Sequence, residues 1–208
     1  VKPDWTASAT RLADAEWVRA RIGGAAKLYG CARPEVLGTI WWYSLSSVLA
    51  GPAVEGLVAG TPVDPSLDAM ELDLVADGRF LGARSTRPLD GGLPELGAAF
   101  TGALGTAITT IAAVSGARER ALGAIATDSI GNRLLWTSDP ERAMALAGPL
   151  VEAIDLGLPK PRFVRVGRTP AVRRASCCLI YEVGNPKCVS CPRQTPEERE
   201  ARLRAALG

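Results

Sequence analysis

Histidine is absent from this chain. Without an imidazole there is no Ser-His-Asp or Cys-His arrangement, no Rieske-type ligation and no zinc catalytic site built on His. General acid–base chemistry would fall to Asp, Glu, Lys, Tyr or Cys, and nothing in the sequence favours it. Internal repeats, low-complexity stretches and a signal-peptide pattern are missing too. The expected setting for the five cysteines is therefore a reducing cytosol, not a secreted disulfide scaffold. Charge is withheld from two long runs, 36–54 and 96–117. Both exceed the length at which a membrane-crossing helix has to be considered. The first is diluted by Thr39, Ser44, Ser46, Ser47, Gly51 and Pro52, and the second is mostly Ala, Gly and Thr, which transfer weakly into lipid. Closely packed buried helices are expected, with no transmembrane span.

The chain has 208 residues, 47% of them hydrophobic, which is enough for one core with a small appended lobe. Net charge is only +2, yet its distribution is uneven. Residues 160–193 carry eight basic side chains against one acid, Glu182, leaving residues 1–159 at about −5. The positive field is local to the C-terminal region.

Periodicity gives the outline. Leu12, Ala15, Val18, Ile22, Ala25 and Tyr29 recur at helical steps and predict a helix over 6–29. Arg33-Pro34-Glu35 restarts a helix, with Pro34 suited to its first turn, and Pro52 should kink or end the uncharged run that follows. Residues 70–82 read as a hairpin, with Leu72 and Leu74 alternating with acids and Asp77-Gly78 at the turn. Helices are predicted over 118–135 and from a cap at Asp139-Pro140-Glu141 to about Leu156, with Gly157 and Pro159 as stops. Arg162 to Val166 alternates as a half-exposed strand, and Thr195-Pro196-Glu197-Glu198 is a capping box that opens a terminal helix. The fold class is α+β: a helix-dominated single domain with a small hairpin or sheet and a C-terminal cysteine-rich motif. Residues 1–170 form the body, and 171–208 form the cysteine segment and last helix.

Four of the five cysteines lie within fifteen positions: Cys177, Cys178, Cys188 and Cys191. Clustered thiolates without a His partner point to a metal centre held by sulfur alone. A Cys-x-x-Cys turn aims two sulfurs at one site. Adjacent cysteines diverge in regular structure, so Cys177-Cys178 requires irregular backbone if both are ligands. Zinc ribbons use two Cys-x-x-Cys knuckles instead, so the adjacent pair argues against zinc without excluding it.

The run Arg173-Arg174-Ala175-Ser176-Cys177-Cys178-Leu179-Ile180-Tyr181, followed by Cys188-Val189-Ser190-Cys191-Pro192, resembles the C-terminal signature of FhuF-like ferric siderophore reductases. The resemblance implies a [2Fe-2S] cluster on Cys177, Cys178, Cys188 and Cys191, one-electron reduction of a ferric siderophore in the cytoplasm, and a fold related to the C-terminal region of siderophore synthetases. It covers residues 173–192. The nine residues between Cys178 and Cys188 are one fewer than is common in that family, and the Gly184-Asn185-Pro186 turn is where such a deletion is absorbed. The chemistry implied is simple. Siderophore oxygens hold hard Fe(III) far more tightly than Fe(II), so one electron loosens the complex. An all-Cys cluster, at roughly −400 mV in plant-type examples, suits a chelate that is hard to reduce.

Arg173 and Arg174 are candidates for raising the potential of such a cluster and, with Arg165 and Arg168, for docking an anionic ferri-siderophore or an electron donor, a ferredoxin or reductase; a solvated basic strand face is the plainer alternative. Peripheral membrane association is compatible with such a face. No nucleic-acid motif accompanies it, so no nucleic-acid partner is expected. Cys31 reads as a small buried hydrophobe, and Trp41-Trp42-Tyr43 as core with one ring partly exposed. Asp128 and Asn132 fit an ordinary polar helix face or a ligand contact. Three other functions compete with the reductase. They are an interaction domain stapled by a structural zinc on the four thiolates, a general [2Fe-2S] electron carrier, and a thiol-disulfide oxidoreductase on Cys188 and Cys191, the last lacking the βαβ pattern expected around it.

Overall fold

The computed structural model describes residues 2–207. The chain opens with strand β1 (Trp5–Ser8), passes through a short 3-10 turn and enters α1 (Ala15–Tyr29). The predicted helix over 6–29 is thus corrected in its first third. Trp5 and Ala7 alternate inward with Thr6 and Ser8 outward, a strand period, and the helix waits for its cap at Asp14, whose Oδ1 accepts from Glu16 N at 3.0 Å and Trp17 N at 3.1 Å. β1 pairs antiparallel with β2 (Met70–Leu74), which pairs with β3 (Phe80–Ser85) in the order β1-β2-β3. The predicted hairpin is therefore two-thirds of a small sheet, with Gly78 at φ 84° in its turn. β2 buries Met70, Leu72 and Leu74 on one face.

The uncharged run becomes α2 (Pro34–Ala59), which continues through Pro52. Proline removes one backbone donor and crowds the preceding turn. Here the helix is held by its burial: Val48, Leu49, Ala50, Gly51, Ala53 and Val54 around the proline are all buried, and Arg133 Nε donates to Ser47 O at 2.7 Å in the neighbouring turn. The second run is α3 (Leu93–Ser115), the one described helix long and apolar enough to cross a membrane. Its apolar face supplies Leu96, Phe100, Leu104 and Ile111 to the core. α4 (Glu119–Leu135) and α5 (Pro140–Ala153) complete the bundle, α5 capped as predicted by Asp139.

Small residues set how closely these helices approach. A Cβ on Gly38 would sit 2.4 Å from Ser115 Oγ, and one on Gly97 would sit 2.3 Å from the Ala153 carbonyl oxygen. Across the α2–α4 seam, Trp42 Nε1 donates to Leu122 O at 2.8 Å and the Ser46 and Ser129 hydroxyls meet at 2.7 Å. Trp42, Leu45, Leu49, Phe100 and Leu122 are fully buried around that seam, each stabilising the fold by about 1.5–3 kcal/mol.

The C-terminal region is a separate layer. β4 (Phe163–Val166) and β5 (Thr169–Val172) form a tight hairpin around Gly167-Arg168, and α6 (Pro196–Leu207) lays Leu203 on Val164, Val166 and Ala171. Its capping box forms as predicted: Thr195 N donates to Glu198 Oε2 at 3.1 Å, and Glu198 N to Thr195 Oγ1 at 3.2 Å. The hairpin leans on α4, where Gly131 makes room for Val172. Among the described residues, six α-helices and small antiparallel sheets make this an α+β domain.

Candidate metal centre

The cysteine segment leaves β5 and is caught at once by α4. The Asp128 carboxylate accepts from Ala175 N at 2.8 Å and Ser176 N at 3.1 Å, fixing the two residues ahead of the cysteine pair. Leu179, immediately after the pair, is the one described non-glycine residue in the left-handed region, at φ 61°. That turn supplies the irregular backbone which adjacent ligands require, and it aims Leu179 N at Cys177 Sγ, 3.4 Å away. A 3-10 turn (Ile180–Val183) and Gly184 reverse the chain. The second pair is then held by Gln194, just ahead of α6, and by α6 itself. Gln194 Nε2 donates to Cys188 O at 2.7 Å and Val189 O at 3.3 Å, and Arg202 Nη1 to Lys187 O at 2.8 Å.

All four sulfurs come together. Cys177 and Cys191 approach to 3.7 Å, while Cys178 lies beside both Cys177 and Cys188. Cys188 also feels Cys191, so the four sulfurs form one group of donors. Among the described residues no three Cys, Asp or Glu side chains converge on a point fit for a single ion. Cys178 and Cys191 are buried, and Cys177 and Cys188 half-buried.

Arg174 controls the electrostatics. Its Nη1 lies 3.3 Å from Cys188 Sγ and 3.8 Å from Cys178 Sγ, and its Nε makes a long ion pair of 3.5 Å with Asp128. The guanidinium carbon stands 4.8 Å from the Tyr43 ring centroid. Its Nη2 is buried with no hydrogen-bond partner, an omission that leaves about 1–3 kcal/mol uncompensated unless an acceptor arrives. Cys178 is pushed down to about 2 by hydrogen bonds from Cys177 and then Cys188, with Arg174 adding to the effect. Cys177 and Cys188 are correspondingly pushed up, first as donors to Cys178 and then by burial. Sulfurs this close cannot all ionise alone; a cationic centre among them would let them do so. Burial raises Asp128 against the pull of Ala175 N, Ser176 N and Arg174.

The predicted docking arginines separate. Arg174 is corrected outright: its side chain is 1% exposed and faces the sulfurs, so it offers no surface. Arg173, Arg165 and Arg168 are exposed on or beside the β4–β5 hairpin, with Arg165 paired to Glu141 on α5. Cys31 packs half-buried against the core, away from the other four cysteines. Trp41 and Trp42 are core, and Tyr43 is the partly exposed ring beneath Arg174. Asp128 belongs to the site and Asn132 makes none of these contacts. Sequence reasoning gave Tyr43, Asp128 and Gln194 no role at the cysteines. The available signal was Asp128 itself, one acid inside Ala124-Ile125-Ala126-Thr127-Asp128-Ser129-Ile130, where an apolar surround demands a buried partner.

A groove of about 470 Å³ opens over Cys177, walled by Arg33, Arg118, Tyr181, Pro192 and Arg193. Arg33 is tied to Glu182 at 2.8 Å. Another cavity, about 550 Å³ between α3, α4 and residues 156–159, touches the motif only at Ala175 and contains no sulfur. The groove over Cys177 is the one that meets the chemistry.

Residues 174–193 match the family model of the FhuF 2Fe-2S C-terminal domain, the family the motif resembles. No curated protein and no solved structure matches the chain. The cofactor of this segment is a [2Fe-2S] cluster. The residues present fit it: four sulfurs gathered together, irregular backbone at the adjacent cysteines, and a buried guanidinium nitrogen without an acceptor where cluster sulfur would supply one.

Proposed function

We propose that this chain is a ferric siderophore reductase. In this reading Cys177, Cys178, Cys188 and Cys191 would hold the cluster. Residues 1–170 form a rigid body that presents the cysteine segment, 171–208, with both packed as one domain. When bound, the cluster supplies single electrons. The observation that carries the reading is the half-exposed Cys177 in the floor of the groove. A chelate seated there lies next to a cluster ligand and needs no deeper pocket.

The side chains divide the work. Asp128 and Leu179 set the cysteine pair, and Gln194 sets the second pair. Arg118 and Arg193, which take part in no ion pair among the described residues, offer positive charge to an anionic chelate at the groove wall. One electron converts chelated Fe(III) to Fe(II), and an external one-electron donor, a ferredoxin or a reductase, restores the protein. The weaker Fe(II) chelate then releases its metal. Exposed Arg173 and Arg168 remain available for that donor. The setting proposed is the cytoplasm, where such donors operate.

The test is anaerobic purification with iron and sulfide assay, EPR after dithionite, and stopped-flow reoxidation by ferric siderophore. About two irons and two sulfides per chain, an S = ½ signal and saturable reoxidation are expected. Equal, unsaturable rates with unrelated acceptors would leave a general electron carrier. One zinc per chain and no cluster after reconstitution would leave a structural metal domain.

A further inference from the structure

Three features of Arg174 are unlike a structural ion pair. A salt bridge built for stability is short and bidentate, but Nε meets Asp128 at 3.5 Å while that carboxylate directs its short bonds to Ala175 N and Ser176 N. The nitrogens beyond Nε turn away from Asp128. Nη1 addresses Cys188 and Cys178, and Nη2 has no partner at all. The guanidinium is also immobilised on three sides, by Asp128, by the Tyr43 ring and by burial at 1% exposure. Cys177 and Cys191 receive nothing comparable. That pair has the Leu179 amide at Cys177 and the contact of its two sulfurs with each other.

We propose that Arg174 is a positioning residue that raises the reduction potential of the centre and draws the added electron toward the side where Cys178 and Cys188 lie. The inference rests on the reading that the four cysteines are the ligands. A fixed positive charge with N–H donors on two ligand sulfurs favours the state that carries one more negative charge, and low local dielectric strengthens the effect. The asymmetry follows from placement, because the donors reach one sulfur pair and not the other. The site is thereby polarised: the electron is held on the buried, arginine-facing side, and Cys177 stands between it and the groove.

The experiment is an EPR-monitored redox titration of the loaded protein for wild type, Arg174→Lys and Arg174→Met, each first assayed for iron and sulfide. Met should shift the one-electron equilibrium at least tenfold toward the oxidised form, a fall of about 59 mV or more. Lys, which keeps the charge but loses the fork, should fall between Met and wild type. Unchanged potentials in fully loaded variants would overturn the proposal and leave Arg174 a purely structural group. Should Met not load, Lys decides by the same criterion. Pulsed EPR of wild type carrying ¹⁵N-arginine gives a reading that needs no variant: a guanidinium nitrogen coupled to the reduced centre is expected, and its absence overturns the proposal. A wild-type protein that binds no cluster would instead refute the ligand reading beneath it.

Discussion

Removing the Asp128 carboxylate should undock the cysteine segment while leaving the helical body folded. The side chain is 2% exposed and accepts from Ala175 N at 2.8 Å, Ser176 N at 3.1 Å and Arg174 Nε at 3.5 Å. Bonds to a charged group are worth about 1.5–3 kcal/mol each, and stripping one partner from a buried ion pair costs about 3–5 kcal/mol. These overlap, because Arg174 appears in both, so the expected loss for Asp128→Ala is about 3–5 kcal/mol in cluster-free protein. Asp128→Asn should approach it, since one amide oxygen replaces two carboxylate oxygens and the NH₂ faces donors. With the cluster bound, anionic sulfur still faces Arg174, so the loss should shrink toward about 2–3 kcal/mol. Urea unfolding gives the global value, and amide exchange at residues 175–176 reads the local one. Asp128→Ala combined with Arg174→Met should cost less than the sum of the single changes. A loss below about 1 kcal/mol by both measurements, or strict additivity, would refute the claim that this carboxylate anchors the site.

Serine at Cys177, Cys178, Cys188 or Cys191 should abolish or badly disturb the visible and EPR spectra of the cluster, while serine at Cys31 should leave iron and sulfide content unchanged; metal assay on all five variants checks this. Gly97→Ala should lose about 1–3 kcal/mol by thermal unfolding, because its Cβ would lie 2.3 Å from the Ala153 carbonyl oxygen and force α3 from α5. Burial raises the Asp128 carboxyl, so the native state keeps this proton at pH values where the unfolded chain releases it. This group's contribution is thus full below its ordinary 3.8 and lost as pH rises through the raised native value, and Asp128→Asn should flatten that part of the stability–pH curve of cluster-free protein.

The helices and the cysteine set were legible because each is written in local pattern. Apolar spacing gave α1, α4 and α5, caps at Asp139 and Thr195 gave two helix starts, and the cysteine spacing gave the metal motif. What escaped depended on distant partners. Trp5–Ser8 is a strand only because β2 offers an edge, and four residues within a helical-looking window carry too little signal to say so. Pro52 stays inside α2 because the residues around it are buried against distant elements, above all α4. Arg174 looked like one more member of a basic strand. Its burial follows from Asp128 and Tyr43 lying opposite it on α4 and α2, which no spacing in the sequence encodes.

The two sulfur pairs hang from different supports: Cys177 and Cys178 from α4 through Asp128, and Cys188 and Cys191 from α6 through Arg202, which donates to Lys187 O. Between them, residues 184–187 are exposed. Iron and sulfide would be the rivet that joins these supports. A chain that never acquires the rivet, or loses it to oxygen, keeps α6 mainly through Leu203 on a small apolar patch and a few hydrogen bonds. Its loop then becomes a cutting site for cellular proteases. Limited proteolysis at residues 184–187 should therefore be faster in cluster-free than in loaded protein.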